Sequence, residues 1–320
     1  MEFDRYIPGN IIFSDRYSLK TTNGTDTQLI AGVTRTPGYQ QGKGTKARFR
    51  TIRGLTQISR NLVVVADYDN HCLRKIDRKT GETSLFSGSC GQPGYQDGLP
   101  GQFYYPWSVV PDKCNRKQLF VVDTQNNALR TVGLELRAVA TFLKYNWKSY
   151  MRYLSQDQNC DIFLPIGDRL ISRISYKDKT ATIVSGSPLS TGDFQDGLLT
   201  SLYQGPTDIL FIDVQTFLVT DRNNSKVKLV DLRAGSVSAL QLCPRCLNQP
   251  WSMLVSGDSL YVGQIGGIHR FDSEYQMDFC VVSLNQLTIT AKLITLHPRK
   301  VLHHGHWIFF ALYMYKRLAF

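Results

Sequence analysis

One short segment recurs along the chain, and its spacing constrains the fold more than any other feature of the sequence. In each copy, a run of β-branched and aliphatic residues ends in Asp-x-x-Asn, and a run of aliphatic and basic residues follows. The three clear copies are anchored at Asp67, Asp123 and Asp221, and three weaker copies at Asp15, Asp168 and Gly263. Successive anchors lie 42 to 56 residues apart. A period of this length indicates tandem copies of one supersecondary unit.

A glycine-rich segment recurs with the same step. Its copies occupy residues 37–49, 93–103 and 192–203. Tyr39 and Tyr95 hold the same place in the first two copies and are 56 residues apart, which equals the step between the first two clear aspartates. A third recurring motif is Pro-Trp-Ser, which occurs twice and contains Trp107 and Trp251. Because the motifs recur in phase, the repeat is specific.

Within each unit, short β-rich runs alternate with clusters of Gly, Asp, Asn and Pro, which predicts strands and turns throughout. A unit of 42 to 56 residues with about four strands is typical of one blade of a β-propeller. The Asp-x-x-Asn step is predicted to form the tight turn between the second and third strands. Asp and Asn suit this turn because their side chains bond nearby backbone amides and tolerate left-handed geometry. The predicted fold class is therefore all-β, a six-bladed β-propeller.

Composition excludes several other classes of protein. Of the 320 residues, 42% are hydrophobic and 20% are charged, which excludes a disordered chain or a coiled coil. No run of about 18 apolar residues occurs, so the sequence predicts no transmembrane segment. The net charge of +11 includes +5 from residues 291–320, and the mildly basic remainder falls short of a dedicated nucleic-acid binder.

The recurring Asp-x-x-Asn-x-x-(aliphatic)-(basic) segment, with a β-branched strand before it and a Gly-(aromatic)-x-Asp-Gly linker after it, resembles the signature of the NHL-repeat family over residues 10–275. Two units depart from the pattern, since 140–182 lacks the glycine-rich linker and 238–275 lacks the aspartate. The resemblance implies a rigid disc whose loops recognise proteins, glycans or RNA. Related six-bladed propellers also include hydrolases and a lyase that hold Ca²⁺ or Zn²⁺ in the central channel.

The predicted domain organisation is one propeller over residues 1–296 and an atypical tail at 297–320. The units are predicted at 8–32, 29–82, 83–139, 140–182, 183–237 and 238–275, and the first of them is a partial blade. Residues 286–296 alternate like a strand and are predicted to supply the inner strand of that blade, which closes the ring and removes open sheet edges. The tail matches no repeat; translated intron sequence, a terminal helix and a membrane-surface segment stay open for it.

Two of the seven cysteines carry a geometric argument for a disulfide bond. A hairpin turn at residues 79–82 places Cys72 and Cys90 within one residue of direct opposition on antiparallel strands. A disulfide needs Cα atoms about 4.4–6.8 Å apart, which such strands provide. Two free thiols in a cytosolic protein are the alternative. The pairing of the other five stays open: Cys114, Cys160, Cys243, Cys246 and Cys280.

The localisation is argued from the cysteines, since no targeting signal is recognisable. Residues 1–5 show no hydrophobic signal region, which by itself favours the cytosol. A leader lost from the gene model is the alternative. The placement of Cys72 and Cys90 favours an extracellular protein.

Two basic segments are candidate binding surfaces. Residues 35–53 carry six basic residues and no acid, and residues 144–153 interleave bases with aromatic side chains. In a propeller, interblade links and second-to-third-strand turns emerge on the same face, so both segments are predicted to lie there. The predicted binding residues are Lys43, Lys46, Arg48, Lys144, Trp147, Lys148 and Arg152. The alternative is that the aromatic residues point inward and the bases are simply solvated.

No catalytic motif is recognisable in the sequence, which lacks a Gly-x-Ser-x-Gly elbow, a His-Glu-x-x-His motif and a phosphate-binding loop. The predicted inner strands supply Asp208 but no set of carboxylates or histidines for a channel metal. Cys243 and Cys246 form a lone CxxC, and four histidines cluster in the tail. We predict no catalytic residue, no metal and no cofactor.

The predicted function is a non-catalytic scaffold that binds another macromolecule, a protein or a glycan, through one loop face. One alternative is an RNA-binding propeller with a basic-aromatic face. The other is a metal-dependent hydrolase or lyase of propeller fold.

Overall fold

Antiparallel sheets of short strands follow one another along the chain, as the repeat predicts. The computed structural model describes residues 1–145, 150–187, 202–240, 242, 247–256 and 259–272. Six sheets lie within these residues and form the blades of a propeller. The fold is an all-β, six-bladed β-propeller, which confirms the predicted fold class. In this part of the chain, no helix is long and apolar enough to cross a membrane.

The blades are numbered in chain order, each from its inner strand outward. Blade 1 contains β1 (Glu2–Phe3), β2 (Ile11–Ser14), β3 (Ser18–Thr22) and β4 (Thr27–Gly32). Blade 2 contains β5 (Gly42–Lys43), which adds to its outer edge, β6 (Ile52–Ser59), β7 (Leu62–Asp67), β8 (Cys72–Asp77) and β9 (Glu82–Gly88). Blade 3 contains β10 (Pro106–Pro111), β11 (Gln118–Asp123), β12 (Ala128–Gly133) and β13 (Val139–Lys144).

The second half of the ring continues the same pattern. Blade 4 contains β14 (Ser155–Gln156), β15 (Ile162–Ile166), β16 (Leu170–Ile174) and β17 (Ala181–Gly186). Blade 5 contains β18 (Pro206–Phe211), β19 (Thr216–Asp221), β20 (Lys226–Asp231) and β21 (Ser236–Ala239). Blade 6 contains β22 (Ser252–Ser256), β23 (Ser259–Gln264) and β24 (Gly267–Asp272).

The core of the protein lies between neighbouring blades. Each of five clusters of buried apolar side chains joins two successive blades within the described residues. Strand β7 serves two of them: Val63 and Val65 pack towards blade 1, and Val64 and Ala66 pack towards blade 3. Successive residues of a strand point to opposite sides of a sheet, so a strand buried on both sides is apolar throughout.

The ring closes where blade 6 meets blade 1. The rings of Phe3 and Tyr261 meet edge-on with centroids 5.2 Å apart. The inner strands surround a central channel with a cavity of about 710 Å³. Linkers between blades and turns between second and third strands emerge on one side, which we call the linker face. The other hairpins emerge on the opposite side, the hairpin face.

The repeated aspartates are buried at the linker-face ends of the second strands. Asp123 accepts hydrogen bonds from the Tyr104 amide (2.7 Å), from Asn126 Nδ2 (2.8 Å) and from Arg130 Nη1 (2.7 Å). Asn127 follows at φ 48°, a left-handed conformation that Asn tolerates. The motif is thus a turn whose buried aspartate is held by a buried base, and the same ion pair recurs as Asp67–Arg74 and Asp221–Lys228.

The same bases hold the glycine-rich linkers, which explains why the two motifs recur in phase. Arg130 Nη2 donates to the Gln96 carbonyl at 2.9 Å, and its guanidinium carbon lies 4.7 Å from the Tyr95 ring centre. Arg74 stands in the same relation to Tyr39, at 5.0 Å from the ring centre. Loss of either motif therefore leaves the other without its partner.

Two disulfide bonds join described residues. Cys72 and Cys90 are bonded on the linker face with Cα atoms 5.0 Å apart, which confirms the predicted bond. Cys114 and Cys160 are bonded with Cα atoms 6.0 Å apart and tie the first hairpins of blades 3 and 4 together on the hairpin face. The second bond joins two blades, so its geometry depends on how the blades pack. Three cysteines lie outside the described residues: Cys243, Cys246 and Cys280.

The blade boundaries differ in phase from the predicted ones. Predicted units ended at residues 82 and 139, where the fourth strands β9 and β13 begin, and therefore gave these strands to the next unit. In the structure, β9 pairs with β8 and β13 pairs with β12, so each outer strand belongs to the preceding blade. Repeat spacing gives the length of a unit but not its starting point.

Blade 1 takes its inner strand from the beginning of the chain. Glu2 and Phe3 pair with Ile12 and Ile11. The prediction gave this place to residues 286–296, and the structure assigns it to β1. Residues 286–296 and the tail at 297–320 lie outside the described residues.

Candidate binding site at the channel mouth

Two tryptophans meet over the linker-face end of the channel. Trp107 and Trp251 come from the two Pro-Trp-Ser segments, at the starts of the inner strands of blades 3 and 6. These blades stand opposite each other in a ring of six, so the indoles approach across the channel. Their ring centroids are 6.4 Å apart, with planes inclined by 27°. Trp107 is 7% exposed.

Arg53 lies among these rings, and its guanidinium group forms no ion pair or hydrogen bond with the residues that the structure describes. Its guanidinium carbon is 4.5 Å from the Trp107 ring centre, 5.6 Å from that of Trp251 and 5.4 Å from that of Tyr68. Its Nε is buried without a hydrogen-bond partner in the described residues. Burial lowers the pKa of the guanidinium. The backbone carbonyl of Arg53, by contrast, accepts a hydrogen bond from the Tyr153 hydroxyl at 2.6 Å.

Arg222, from the second turn of blade 5, approaches the same indole. Its guanidinium carbon is 4.0 Å from the Trp251 ring centre, and Nη2 donates to Gln249 Oε1 at 2.7 Å. Its Nε is also buried without a partner in the described part of the chain. The pKa of Arg222 is lowered by burial first, and then by repulsion from Arg152 and Arg53. The mouth of the channel is therefore a region of excess positive charge.

Tyrosines extend the cluster towards blade 3. The Tyr68 and Tyr105 rings lie 4.7 Å apart, and Tyr105 stacks on Tyr104 with centroids 5.0 Å apart. The Tyr105 amide donates to Nδ1 of His71, whose pKa is lowered by burial. Tyr104 and Tyr150 are 38% and 54% exposed, so they present rings to solvent beside the channel. We call the following six residues the mouth cluster: Arg53, Tyr68, Trp107, Tyr153, Arg222 and Trp251.

The channel below the mouth cluster contains buried carboxyl groups. Asp208 accepts hydrogen bonds from the amides of Met253 (2.8 Å) and Ile209 (2.9 Å), and burial raises its pKa to about 6. Glu2 accepts from the Gln57 amide at 2.8 Å, and burial raises its pKa. Within the described residues, no three His, Cys, Asp or Glu side chains come together as metal ligands. The predicted absence of a metal or cofactor stays a prediction for the whole chain.

Arg152, a predicted binding residue, is 8% exposed and bonded within the protein. Its Nη1 donates to the Pro206 carbonyl at 2.9 Å, and Nη2 pairs with Asp168 at 3.1 Å. These partners belong to blades 5 and 4. Arg152 therefore joins two blades, and the structure corrects its predicted place on the binding surface.

The predicted lysines of the first basic segment lie away from the channel mouth. The side chain of Lys43 is exposed. In the backbone pairing of β5 with β9, Lys43 lies opposite Glu82, at the hairpin-face end of this outer strand. Lys46 is exposed three residues further along the same loop. Arg48 donates to the carbonyls of its own loop, including that of Ala47 at 2.8 Å. The linker folds down the outer edge of blade 2, so the expectation that both basic segments share one face is wrong for Lys43 and Lys46.

The second basic segment is only partly described. Lys144 is exposed at the end of β13, and its Nζ lies 4.2 Å from the Tyr95 ring centre. Trp147 and Lys148, both predicted binding residues, lie outside the described residues. The structure thus does not bring the described members of the predicted set, Lys43, Lys46, Arg48, Lys144 and Arg152, together at one site.

Sequence reasoning missed the mouth cluster, although two signals for it were present. The repeated Pro-Trp-Ser motif contains Trp107 and Trp251, and the basic, acid-free segment 35–53 contains Arg53. Neither signal indicates that these side chains converge. Convergence requires the ring to close, which sets blade 2, blade 3 and blade 6 around one axis.

Comparisons with solved structures bear on the fold. The chain is similar to an auxiliary nutrient binding protein from Bacteroides ovatus, with a TM-score of 0.63 and 12% identity over 84% of this chain and 68% of that one. It is also similar to a chain in the crystal structure of a nidogen/laminin complex, with a TM-score of 0.59 and 11% identity over 82% of this chain and 89% of that one.

A third similar structure is an enzyme. Catalytically inactive virginiamycin B lyase from Staphylococcus aureus, crystallised with quinupristin, gives a TM-score of 0.53 and 11% identity over 82% of this chain and 76% of that one. No protein-family model and no curated protein matches the chain. At these identities the likenesses show the propeller fold alone.

Proposed function

We propose that this protein is a non-catalytic propeller that binds another protein through the linker face, with the mouth cluster at the centre of the interface. The observation that carries the proposal is the gathering of Trp, Tyr and Arg side chains at one end of the channel. These three residue types are enriched among the energetic hot spots of protein interfaces. They cluster at interface centres because large, rigid rings bury much area at little entropic cost.

Exposure supports a contact surface at this place. Tyr104 and Tyr150 present rings to solvent beside the channel, while Trp107 below them is buried. An exposed rim around a buried aromatic floor suits a protruding segment of a partner. One of the similar structures is named as a nutrient binding protein, another is part of a nidogen/laminin complex, and the third is a lyase. The fold is therefore compatible with binding and with catalysis.

The test is site-specific photo-crosslinking. A benzophenone amino acid placed at Tyr104 is expected to capture a partner from an extract of the source organism, and the same group at Tyr6 is not. Tyr6 is the matched control because its side chain is equally exposed, at 41%, and lies on the hairpin face. The captured species is then purified and its affinity for the unlabelled protein is measured.

The variants decide whether the contact is specific. Tyr104→Ser together with Tyr150→Ser is expected to weaken that affinity at least about tenfold, and Tyr6→Ser to leave it unchanged. Equal effects on both faces would overturn the proposal. Binding of a uridine oligonucleotide with a strong salt dependence would favour the RNA alternative instead. Capture of a glycan that survives protease treatment would favour a glycan ligand.

A further inference from the structure

Two arginines at the channel mouth have no acidic partner among the described residues, in contrast to three other arginines of the propeller. Arg74, Arg130 and Arg152 each form an ion pair with an aspartate. Arg53 and Arg222 form no ion pair within the described residues, and each has a buried Nε without a hydrogen-bond partner there, as Arg74 and Arg130 also have. Burying a charged donor without an acceptor costs free energy, so a site that keeps two such donors is suited to an added acceptor.

A third orphan donor lies at the same place. The Trp107 Nε1 is buried without a hydrogen-bond partner in the described residues. The unsatisfied groups of Arg53, Trp107 and Arg222 are therefore all N–H donors. Neither an arginine nor a tryptophan side chain has an acceptor atom. A ligand that matches these three groups has to supply acceptors, and an oxyanion does so with a compensating charge.

The nearby carboxylates are already engaged. Asp69 accepts a hydrogen bond from the Thr51 hydroxyl at 2.5 Å, and Asp168 pairs with Arg152 at 3.1 Å. Aromatic rings cover the faces of both guanidinium groups, so a ligand has to approach their Nη edges, and at Arg222 one Nη already donates to Gln249. The pKa of Arg53 is lowered further by repulsion from Arg16, and attraction by Asp69 offsets part of this lowering.

We infer that the mouth cluster binds a carboxylate, and that the carboxylate is an Asp or Glu side chain of the partner protein, held by Arg53 and Arg222. The inference rests on the proposed function and names the chemistry of the partner. A planar carboxylate fits the fork of a guanidinium edge-to-edge. A nucleic-acid backbone would need a long track of bases, and although Arg16 and Arg152 lie near the mouth, Lys43 and Lys46 lie at the outer edge of blade 2 and do not extend the track.

A synthetic peptide of six glutamates tests the inference, with six glutamines as the uncharged control. Isothermal titration calorimetry is expected to detect binding of the glutamate peptide and no binding of the glutamine peptide. Arg53→Gln and Arg222→Gln are each expected to weaken binding at least about tenfold. Arg60→Gln is the matched control, since Arg60 is an exposed arginine on the hairpin face. It removes the same charge and is expected to leave affinity unchanged.

Two further arms separate the outcomes. Thermal unfolding shows whether each variant is folded, and Arg53→Lys, which keeps the charge but loses the fork, is expected to bind with intermediate affinity. Equal affinity in Arg53→Gln, Arg222→Gln and the wild type would overturn the carboxylate site, as would tighter binding of inorganic phosphate than of the glutamate peptide. The proposed function would still stand if the captured partner then depended on Tyr104 and Tyr150.

Discussion

Trp107 and Trp251 stack across the channel mouth, with ring centroids 6.4 Å apart. They begin the inner strands of two blades that stand opposite each other in the ring. Their contact therefore couples two halves of the propeller and forms the floor beside which Arg53 and Arg222 lie. This pair of indoles therefore contributes to the stability of the ring and lies at the proposed binding site.

Removing the Trp107 indole is expected to destabilise the protein more than removing that of Trp251. Trp107 is buried and Trp251 is half-buried, so Trp107→Ala should lower the free energy of unfolding by roughly 3–5 kcal/mol. Trp251→Ala should cost less. Urea unfolding followed by circular dichroism measures both values. An equal or larger loss for Trp251→Ala would contradict the buried position of Trp107.

The two disulfide bonds are expected to differ in their contribution to stability. The Cys72–Cys90 bond closes 18 residues of sequence and the Cys114–Cys160 bond closes 46. Because the loop-closure entropy removed from the unfolded chain grows with loop length, Cys72→Ser with Cys90→Ser should cost about 3 kcal/mol, and Cys114→Ser with Cys160→Ser about 4 kcal/mol. Non-reducing mass spectrometry checks the pairing, and denaturant unfolding the order. Free thiols at all four positions would show that neither bond forms.

Arg130 binds two aspartates that should respond differently to substitution. Asp123 is fully buried, whereas the side chain of Asp97 is 52% exposed. Asp123→Ala leaves a buried guanidinium without its main partner and should cost roughly 3–5 kcal/mol. Asp97→Ala removes a solvent-exposed partner and should cost less than about 1 kcal/mol. The matched pair shares one arginine, so similar losses in thermal or urea unfolding would argue against the buried Asp123–Arg130 bond.

Asp208 makes stability depend on pH in the mildly acidic range. Burial raises its pKa from 3.8 to about 6, so the folded protein holds this proton more tightly than the unfolded chain does. Its contribution therefore favours folding at low pH and is lost as pH rises from about 4 through 6. The corresponding free energy is at most roughly 3 kcal/mol.

Asp208→Asn tests this dependence because an amide does not ionise in this range. The stability of the variant relative to the wild type is expected to increase between pH 4 and pH 6 and then to level off, as measured by urea unfolding at several pH values. Asp213→Asn is a suitable control, since Asp213 lies in an exposed hairpin of the same blade. A constant difference between Asp208→Asn and wild type would contradict the raised pKa.

Much of the fold could be predicted because the relevant interactions are short in sequence. The Asp-x-x-Asn turn bonds to itself within three residues, as Asn126 does with Asp123. The Cys72–Cys90 bond follows from one hairpin. The phase of the blades could not be predicted, since strand pairing and not spacing decides to which sheet β9 belongs.

The candidate site could be predicted only in fragments. Lys43, Lys46 and Arg152 were predicted because basic residues cluster in sequence. Lys43 and Lys46 lie instead on a linker that runs along the outer edge of blade 2, away from the channel mouth. Arg152 is buried and bonded within the protein. Whether a base is solvated, buried or left without a partner depends on the surrounding blades. Local sequence does not contain that information.

The sequence by itself determined the β-class, the repeat, the turns and one disulfide bond, because strand alternation and turn chemistry act between residues that are close along the chain. Tertiary structure decided the inner strand of blade 1, the Cys114–Cys160 bond and the mouth cluster. The last two join segments from different blades, which only the packing of the blades into a ring brings within contact distance, and the first was decided by the pairing of Glu2 and Phe3 with β2.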